Sequence, residues 1–242
     1  LEYEDADGET VYVVTTPGEY TYLGHLKAEF DLDGNVVSID PSSNPVLVTN
    51  TTPDPVLVEL VEEPVSAYVE GLAQNIIATT EVSLDGIKPN LRTLETNEGD
   101  LVADALLWQA TELAPDFGVK VPDVALQNGG GVRNNSIIDA GSDISELTTF
   151  DILPFPNFVT VIEDIPADQV KEILENAVSK VESVSGRFAQ VAGMEFTWDP
   201  AGTAQEIDDE TGEVTTPGTR VLEAKLADGT MIVDAGLPVE GV

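Results

Sequence analysis

Cysteine is absent from this chain of 242 residues, and histidine occurs only once, at His25. Without cysteine, the chain has no disulfide framework, thiolate metal site or cysteine nucleophile. One histidine is also too few for a histidine-rich metal centre. Because His25 lies in the alternating apolar and polar pattern of residues 20–32, we predict that it is an ordinary strand residue.

Positively charged residues are scarce as well. The sequence contains 10 Lys and Arg against 45 Asp and Glu, which gives a formal net charge of −35. Nucleic acids and anionic membrane surfaces are recognised mainly through clustered lysine and arginine, so we predict that neither is a partner. Solvated carboxylates in such excess favour a protein kept soluble in a salty habitat, where counterions screen their repulsion.

Long apolar runs are the third absence. The sequence has no stretch of about 18 apolar residues that would span a membrane, and residues 1–5 (LEYED) lack the basic start and apolar centre of a signal peptide. We therefore expect no membrane insertion, and we expect the chain to be part of a longer protein. Its hydrophobic content of 42% is sufficient for one large domain, or for one domain and part of a second.

The patterning along the chain predicts three regions. Residues 1–48 have the pattern of a small β unit, in which residues 33–35 (DGN) predict a plain hairpin turn in preference to a calcium loop. Residues 50–55 have the composition of a linker. Residues 56–73 carry apolar side chains at helical spacing, and Pro64 is expected to start a second helical segment or to bend the first. The boundaries that we predict are 1–48, 49–75 and 76–242.

Residues 76–242 mix helices and strands. A helix is predicted with Asn97 as its N-cap and Pro115 as its end, and its nearly continuous apolar composition predicts burial on all sides. A second, amphipathic helix follows Pro166, which suits a first helical position. Strands are predicted at residues 79–84, 123–127, 159–163, 194–198, 220–226 and 231–233. Because helices and strands do not alternate strictly, we predict an α+β fold.

The segment with the clearest chemistry is residues 128–133 (NGGGVR), which follows an apolar run. Glycines let a ligand approach backbone N–H groups closely, and Arg133 offers a planar fork of donors. The segment predicts a site for the anionic end of a ligand, with a tight turn and a surface arginine as the alternative. Phe155 lies in a Pro-Phe-Pro loop, where it is either a stacking platform or a buried core residue.

Four segments in this order resemble a known family: residues 91–105, 126–133, 153–157 and 186–193. They are similar to the motifs of the C-terminal domain of 5'-nucleotidases, a family that includes ecto-5'-nucleotidase and periplasmic UDP-sugar hydrolases. The likeness spans residues 54–242, and residues 1–48 resemble the closing strands of the family's N-terminal metallophosphoesterase domain. The resemblance implies an α+β fold with a mixed sheet and packed helices, preceded by a small β segment.

The resemblance also implies roles for five residues. Arg92 and Arg133 would bind the substrate phosphate, and Asn128 would bind the nucleotide beside them. Phe155 would stack on the base, and Asn157 would hydrogen-bond its edge. These residue types suit that chemistry, since guanidinium groups bind phosphate and an aromatic face stacks on a base. The two other arginines, Arg187 and Arg220, match no binding motif and are expected at the surface.

By the same resemblance, the chain is expected to be the substrate-recognition part of a secreted, metal-dependent 5'-nucleotidase that releases phosphate from nucleoside phosphates. Two divalent metal ions, such as Zn or Mn, would be held by an N-terminal catalytic domain of the same protein and none by this chain, which would be inactive alone. The expected partner is a nucleotide or nucleoside. The expected location is periplasmic, cell-surface or extracellular.

Two departures from the family pattern keep other functions open. The chain ends at Val242, before the family's second stacking aromatic residue and its ribose-binding acid, and Pro156 stands where glycine is usual. Within the family, the alternatives are a 2',3'-cyclic nucleotide phosphodiesterase with 3'-nucleotidase activity, a UDP-sugar hydrolase and a sulfur-ester hydrolase. From another class, the alternative is a non-catalytic acidic surface module whose loops bind calcium.

Overall fold

The computed structural model describes the chain except residues 1, 7, 9, 19, 50 and 209. The described structure divides into two units, Leu1–Ser66 and Ala67–Val242. This division falls inside the predicted bridging segment 49–75, whereas Asn50, at the start of the predicted linker, lies outside the described residues. The three predicted domain boundaries stay a prediction.

The first unit contains short antiparallel strand pairs. Its strands are β1 (Glu2–Glu4), β2 (Thr10–Tyr12), β3 (Tyr22–Leu23), β4 (Ala28–Phe30), β5 (Val36–Ile39) and β6 (Val46–Leu47). They pair as β1 with β2, β3 with β6 and β4 with β5. Asp31 closes the turn between β4 and β5, because its carboxylate accepts the backbone N–H groups of Asp33 and Asn35, both at 2.9 Å. The predicted hairpin turn is therefore confirmed.

One prediction for this unit is wrong. His25 lies in the connection between β3 and β4 and belongs to neither strand, and its side chain is exposed. The alternating pattern of residues 20–32 is interrupted here because two short strands pair with different partners, β6 and β5. The residues that connect two different strand pairs cannot continue the hydrogen-bond ladder of either pair.

A helical segment follows, and it is built from α1 (Pro55–Leu57), a π-helical turn (Val58–Glu62) and α2 (Glu63–Gln74). Asp54 caps α1 by accepting the backbone N–H of Val56 at 2.8 Å. Pro64 is the second residue of α2, as expected for a residue that starts a new helical segment. No helix in the described part of the chain is long and apolar enough to cross a membrane.

The second unit is a mixture of helices and antiparallel strands, which confirms the predicted α+β class. Its further helices are α3 (Lys88–Leu91), α4 (Asn97–Phe117), α5 (Glu146–Ile152), α6 (Ala167–Val178) and a 3-10 turn (Val181–Ser183). Its strands are β7 (Ile76–Thr79), β8 (Leu84–Asp85), β9 (Ala125–Asn128), β10 (Ile137–Ile138), β11 (Asp143–Ser145), β12 (Ala189–Ala192), β13 (Met194–Trp198), β14 (Glu206–Ile207), β15 (Val214–Thr216), β16 (Val221–Leu226), β17 (Met231–Asp234) and β18 (Leu237–Pro238).

The strands of this unit form one larger sheet and several pairs. The sheet has the order β13-β16-β17-β18, and the pair β9 with β12 carries the residues 125–128 that lead into the glycine loop. One core cluster lies between α6 and the sheet and includes Leu174, Val178, Val221 and Val233. A second, smaller cluster contains Leu91, Val102, Val132 and Ile152. The second cluster contains the residues that precede Arg92 and Arg133, two of the predicted site residues.

Three details of α4 differ from the prediction. Thr96 is the N-cap, since its hydroxyl accepts the N–H of Gly99 at 3.1 Å. The side chain of Asn97 is instead bonded to the β8 segment, where it accepts the N–H of Asp85. Pro115 lies inside the last turn, and the helix ends where Gly118 adopts a left-handed conformation, φ 67°. The helix is also buried on one side alone, because residues such as Trp108 are exposed.

The predicted strand at residues 159–163 is wrong as well. These residues belong to no helix or strand in the described part of the chain. Prolines flank the segment at positions 154, 156 and 166, and a proline cannot donate to a ladder. The apolar composition of Val159 and its neighbours suggested a strand, but a strand also needs a partner edge.

Arg220 is buried, contrary to its expected position at the surface. Its guanidinium donates to the carbonyl of Val178 at 2.7 Å and forms an ion pair with Glu182. This ion pair lowers the pKa of Glu182 below its ordinary value. Arg220 therefore ties the end of α6 to the start of β16.

Glu175 makes a second polar link at the same place, within the α6 face predicted to be apolar. Its buried carboxylate accepts the backbone N–H groups of Arg220 and Val221, both at 3.0 Å, and binds the ammonium of Lys171 at 2.7 Å. We predict that Glu175→Ala lowers the free energy of unfolding by about 3–5 kcal/mol, because three donors lose their acceptor.

Urea denaturation measures that loss, and Glu172→Ala is the matched control because Glu172 is exposed on the same helix. The control is expected to change stability by about 0.5 kcal/mol or less. Equal midpoints for the two variants would contradict the assigned role of Glu175.

Candidate functional site

The glycine loop at residues 129–131 does not present its amides to a ligand. The N–H of Gly129 donates to the carbonyl of Phe188 at 2.7 Å, that of Gly130 to Gly186 at 2.8 Å, and that of Gly131 to Asn128 at 2.8 Å. All three donors are therefore used inside the protein. The expectation that these amides hold an anion is wrong, and the anion-binding capacity must come from side chains.

The glycines are required by close packing. A Cβ on Gly129 would overlap the carbonyl oxygen of Leu91, and a Cβ on Gly130 would lie 2.9 Å from the Cα of Gly186. None of the loop's glycines has a positive φ. The absence of a side chain thus lets two backbone segments, residues 91–92 and 186–188, lie directly against the loop.

Arg133 follows the loop and is exposed. Its backbone N–H donates to the carbonyl of Ile152 at 2.9 Å, and its guanidinium donates to the carbonyl of Gly130 at 3.3 Å. The guanidinium carbon lies 5.6 Å from the centre of the Phe155 ring, within the range of a cation–π contact. The structure therefore brings two of the predicted site residues together.

Arg92 borders the same loop from the other side. Its guanidinium carbon would be 3.7 Å from a Cβ on Gly186, the residue in contact with Gly130. One terminal nitrogen makes a long contact of 3.5 Å with the carbonyl of Val184. The Nε atom of Arg92 is buried and has no hydrogen-bond partner among the described residues. The guanidinium thus keeps donors that the protein does not use.

One small core positions both arginines. Leu91 and Val132, which precede Arg92 and Arg133 respectively, belong to the same buried cluster as Ile152. Burial of these neighbours fixes the backbone from which each arginine side chain leaves. Because Ile152 ends α5 and residues 153–155 follow it, the same cluster also anchors the Phe155 loop.

Gln190 is a positioning residue that the sequence did not reveal. It is buried on β12, where its amide donates to the carbonyls of Leu91 and Leu94 and accepts the N–H of Thr96. It therefore holds the bend that carries Arg92. The available signal was a glutamine inside the otherwise apolar run of residues 188–192, since a buried amide needs partners.

Asn128 has capacity left for a ligand. Its Nδ2 donates to the carbonyl of Gly186 at 3.0 Å, and its Oδ1 accepts from Gln127 at 3.1 Å. A carboxamide has two N–H hydrogens, so one of them remains available on this exposed side chain. Asn128 thus lies at the end of β9 beside the loop, as the sequence predicted for its position.

Phe155 is half exposed, with 51% of its surface open to solvent, so it is not a buried core residue. Asn157 is exposed too, and it lines an apolar cavity of about 430 Å³ beside Leu126 and Phe158. Within the described structure, no hydrogen bond joins Asn157 to the arginines. The structure therefore brings Arg133 and Phe155 into contact, and it shows no hydrogen bond from Asn157 to either residue within the described part of the chain.

Within the described part of the chain, the arginines beside this loop form no ion pair with a carboxylate. Of the four arginines, only Arg220 pairs with a carboxylate within the described part of the chain. The three others are Arg92, Arg133 and Arg187. Arg187 follows Gly186, and its guanidinium donates to the Ser179 hydroxyl. In a chain with 45 Asp and Glu, three arginines beside one loop keep their charge uncompensated. Such an arrangement suits an anionic ligand.

Residues 76–235 match the family model described as the 5'-nucleotidase C-terminal domain. The trifunctional nucleotide phosphoesterase protein YfkN of Bacillus subtilis (strain 168) is 34% identical over 226 residues, which are 92% of this chain and 14% of that protein. A snake venom 5'-nucleotidase of Macrovipera lebetinus is 28% identical over 200 residues, 80% of this chain and 47% of that protein.

A solved structure supports the same relationship. The crystal structure of a 5'-nucleotidase precursor from Thermus thermophilus superposes with a TM-score of 0.56 and 27% identity, and the alignment covers 99% of this chain and 42% of that one. The chain thus spans less than half the length of each of these three relatives.

Proposed function

The chain belongs to the 5'-nucleotidase C-terminal domain family, and we propose that it is the nucleotide-binding part of a phosphoric ester hydrolase. The observation that carries this proposal is the set of uncompensated arginines beside the glycine loop. With a formal net charge of −35, the chain as a whole repels anions, so a phosphate needs local cations to bind.

Arg92 and Arg133 form the phosphate end of the proposed site. A guanidinium binds phosphate with two parallel N–H donors, which makes the contact both stronger and more directional than that of an ammonium. The remaining N–H of Asn128 adds a neutral donor at the same place. These side-chain groups can bind phosphate without the loop amides, whose three N–H groups are already hydrogen-bonded within the protein.

Phe155 forms the base end. Its half-exposed ring offers an aromatic face to a nucleobase, and the guanidinium of Arg133 over the ring links this end to the phosphate end. We also assign Asn157 to the polar edge of the base, since it lies two residues further on the same loop. A nucleotide combines the two ligand chemistries that the two ends require.

The proposal for the whole protein is a secreted 5'-nucleotidase that hydrolyses nucleoside phosphates with two divalent metal ions. Among the described residues, no group of three or more His, Asp or Glu side chains is arranged to hold a metal ion. The residues present do not fit a two-metal centre, so the role proposed for this chain is binding, and no step of it runs through a metal. A secreted location is supported by similarity to a venom enzyme.

A panel of three ligands tests the proposal by thermal shift. AMP carries a base and a phosphate, adenosine carries the base alone, and ribose 5-phosphate carries the phosphate alone. We expect AMP to raise the melting temperature most, because binding to the native state alone stabilises it. If none of the three changes the melting temperature, the proposal is wrong.

Phe155→Ala separates the two ends of the site. Loss of the stacking ring is expected to weaken AMP binding by about 1 kcal/mol or more, roughly a factor of five or more, while ribose 5-phosphate binding stays unchanged. Phe155→Tyr keeps the ring and is the matched control. Equal losses for AMP and ribose 5-phosphate would show that Phe155 has no specific role toward the base.

A wider set of phosphoric esters is the second candidate function, and the 34% identity to a trifunctional nucleotide phosphoesterase favours it. A competition assay with 2',3'-cyclic AMP, 3'-AMP and a UDP-sugar separates it from strict 5'-nucleotide binding. Affinities within a few-fold of that for AMP would support the wider specificity.

A further inference from the structure

Glu98 is a buried acid with an incomplete set of hydrogen-bond partners. It is the second residue of α4, and its relative exposure is 0%. Its Oε2 accepts from Nδ2 of Asn134 at 3.0 Å, but its Oε1 has no partner, and neither has Oδ1 of Asn134, within the described structure. Buried polar atoms without partners are rare, and each one is destabilising.

The two unpartnered oxygens face the same space. A Cβ added to Gly86 would overlap both Oε1 of Glu98 and Oδ1 of Asn134, so both atoms border one point. Exchanging the oxygen and nitrogen of the Asn134 amide does not remove the mismatch. In either orientation, one amide oxygen faces one oxygen of an ionised carboxylate, and neither atom can donate.

One proton resolves the mismatch. We infer that Glu98 is held as the neutral carboxylic acid, which donates from Oε1 to Oδ1 of Asn134 while it accepts from Nδ2 at Oε2, and that these two hydrogen bonds position Arg133. The proton comes from solvent, and no covalent bond to carbon or nitrogen changes. Asn134 follows Arg133 in the sequence. The hydrogen bonds between Glu98 and Asn134 therefore hold the backbone after Arg133, while the glycine contacts hold the backbone before it.

The surroundings favour the neutral acid. Burial raises the pKa of Glu98, the hydrogen bond from Asn134 lowers it, and the negative charge of Asp85 on β8 raises it. Asp85 itself accepts from the backbone of Ile87 and the side chain of Asn90, so it does not donate to Glu98. The positive end of α4 acts in the opposite direction. Asp100, two residues later on α4, has its own pKa raised to about 6, chiefly by burial.

The sign of the pH dependence follows from the raised pKa. Well below the ordinary glutamate pKa of 4.5, the folded and unfolded chains both hold the proton. At higher pH the unfolded chain releases it first, so stability falls as pH rises through the folded pKa. The fall reflects the loss of the Glu98–Asn134 pair, and loosening of Arg133 should accompany it.

Carbon-13 NMR of protein labelled at the glutamate side-chain carboxyl tests the protonation directly. Aspartate carboxyls are not labelled and therefore give no signal. We expect one glutamate resonance to keep the protonated position at a pH where the exposed glutamates have ionised, and to be absent from Glu98→Gln. Glu112→Gln, an exposed position on the same helix, should leave it in place. If all glutamates of the native chain titrate together, the inference is wrong, and that result needs no variant.

The positioning role rests on the proposed function, and sulfate tests it because its charge is constant between about pH 5 and about pH 9. Native affinity for sulfate should fall several-fold more steeply over that range than the affinity of Glu98→Gln, whose amide keeps both hydrogen bonds without titrating. Parallel pH profiles would overturn the positioning role. If neither protein binds sulfate at any pH, the proposed anion site is wrong. The NMR result still decides the protonation of Glu98.

Discussion

Arg133→Ala is expected to weaken AMP binding by roughly 10- to 100-fold. A hydrogen bond to a charged group contributes about 1.5–3 kcal/mol, so the net loss of one such bond from the two-donor fork of Arg133 accounts for this factor. Among the described residues, the partners of its guanidinium are the carbonyl of Gly130 and the Phe155 ring. Little existing structure is therefore lost with it, and isothermal calorimetry at constant salt measures the effect.

Lys120→Ala is the matched control for Arg133→Ala. It removes the same charge from an exposed ion pair with Asp164, so it reports the general change of the electrostatic field. Its effect on AMP affinity should be within about twofold. Arg133→Lys should be intermediate, because an ammonium keeps the charge but not the two-donor fork. The same loss of AMP affinity in Lys120→Ala as in Arg133→Ala would mean that Arg133 acts only through net charge.

The sequence could predict that Arg92 and Arg133 lie near one loop, as the structure shows, but it could not predict how that loop is built. The ordered motifs placed Arg92 and Arg133 in one site, and the structure anchors both through the Leu91 and Val132 cluster. The sequence also suggested that the glycine amides would hold the anion. That choice depends on which carbonyls lie opposite the loop, and residues far apart in sequence, such as Phe188, supply them.

The same limit explains the errors in the fold. Periodicity predicted α6 and its buried residues Leu174 and Val178 correctly, because one apolar face is a local property. Periodicity says nothing about which charged residue on that helix meets a partner. Glu175 is buried because backbone donors from β16 reach it, and Arg220 because the end of α6 offers acceptors. Buried charges depend on tertiary contacts.

The glycine loop is a packing element, and the proposed binding site depends on that packing. Its amides are satisfied within the fold, and its Cα atoms lie against Leu91 and Gly186. The segments that it holds together carry Arg92, Arg133 and Arg187. Uncharged backbone contacts thus bring these three arginines to one loop.

Among the Gly→Ala substitutions in the loop, Gly129→Ala is therefore expected to lower the stability most. The new Cβ would overlap the carbonyl oxygen of Leu91, a backbone atom that cannot rotate away, so the chain must shift. We expect a loss of about 3 kcal/mol or more in the free energy of unfolding. Urea denaturation measures it, and AMP affinity should fall with it because residues 91–92 would move.

Two further glycine substitutions make that result specific. At Gly131 the added Cβ meets the end of the Gln127 side chain, which can rotate, so Gly131→Ala should be clearly less destabilising. Gly71 lies in α2 with open space around it, and Gly71→Ala should stabilise the helix by about 0.5–1 kcal/mol. If Gly129→Ala were as stable as the native chain, the loop and the Leu91 segment would not be packed as described. If the loop is packed as described, the free energy of unfolding should rise in Gly71→Ala, fall in Gly131→Ala and fall most in Gly129→Ala.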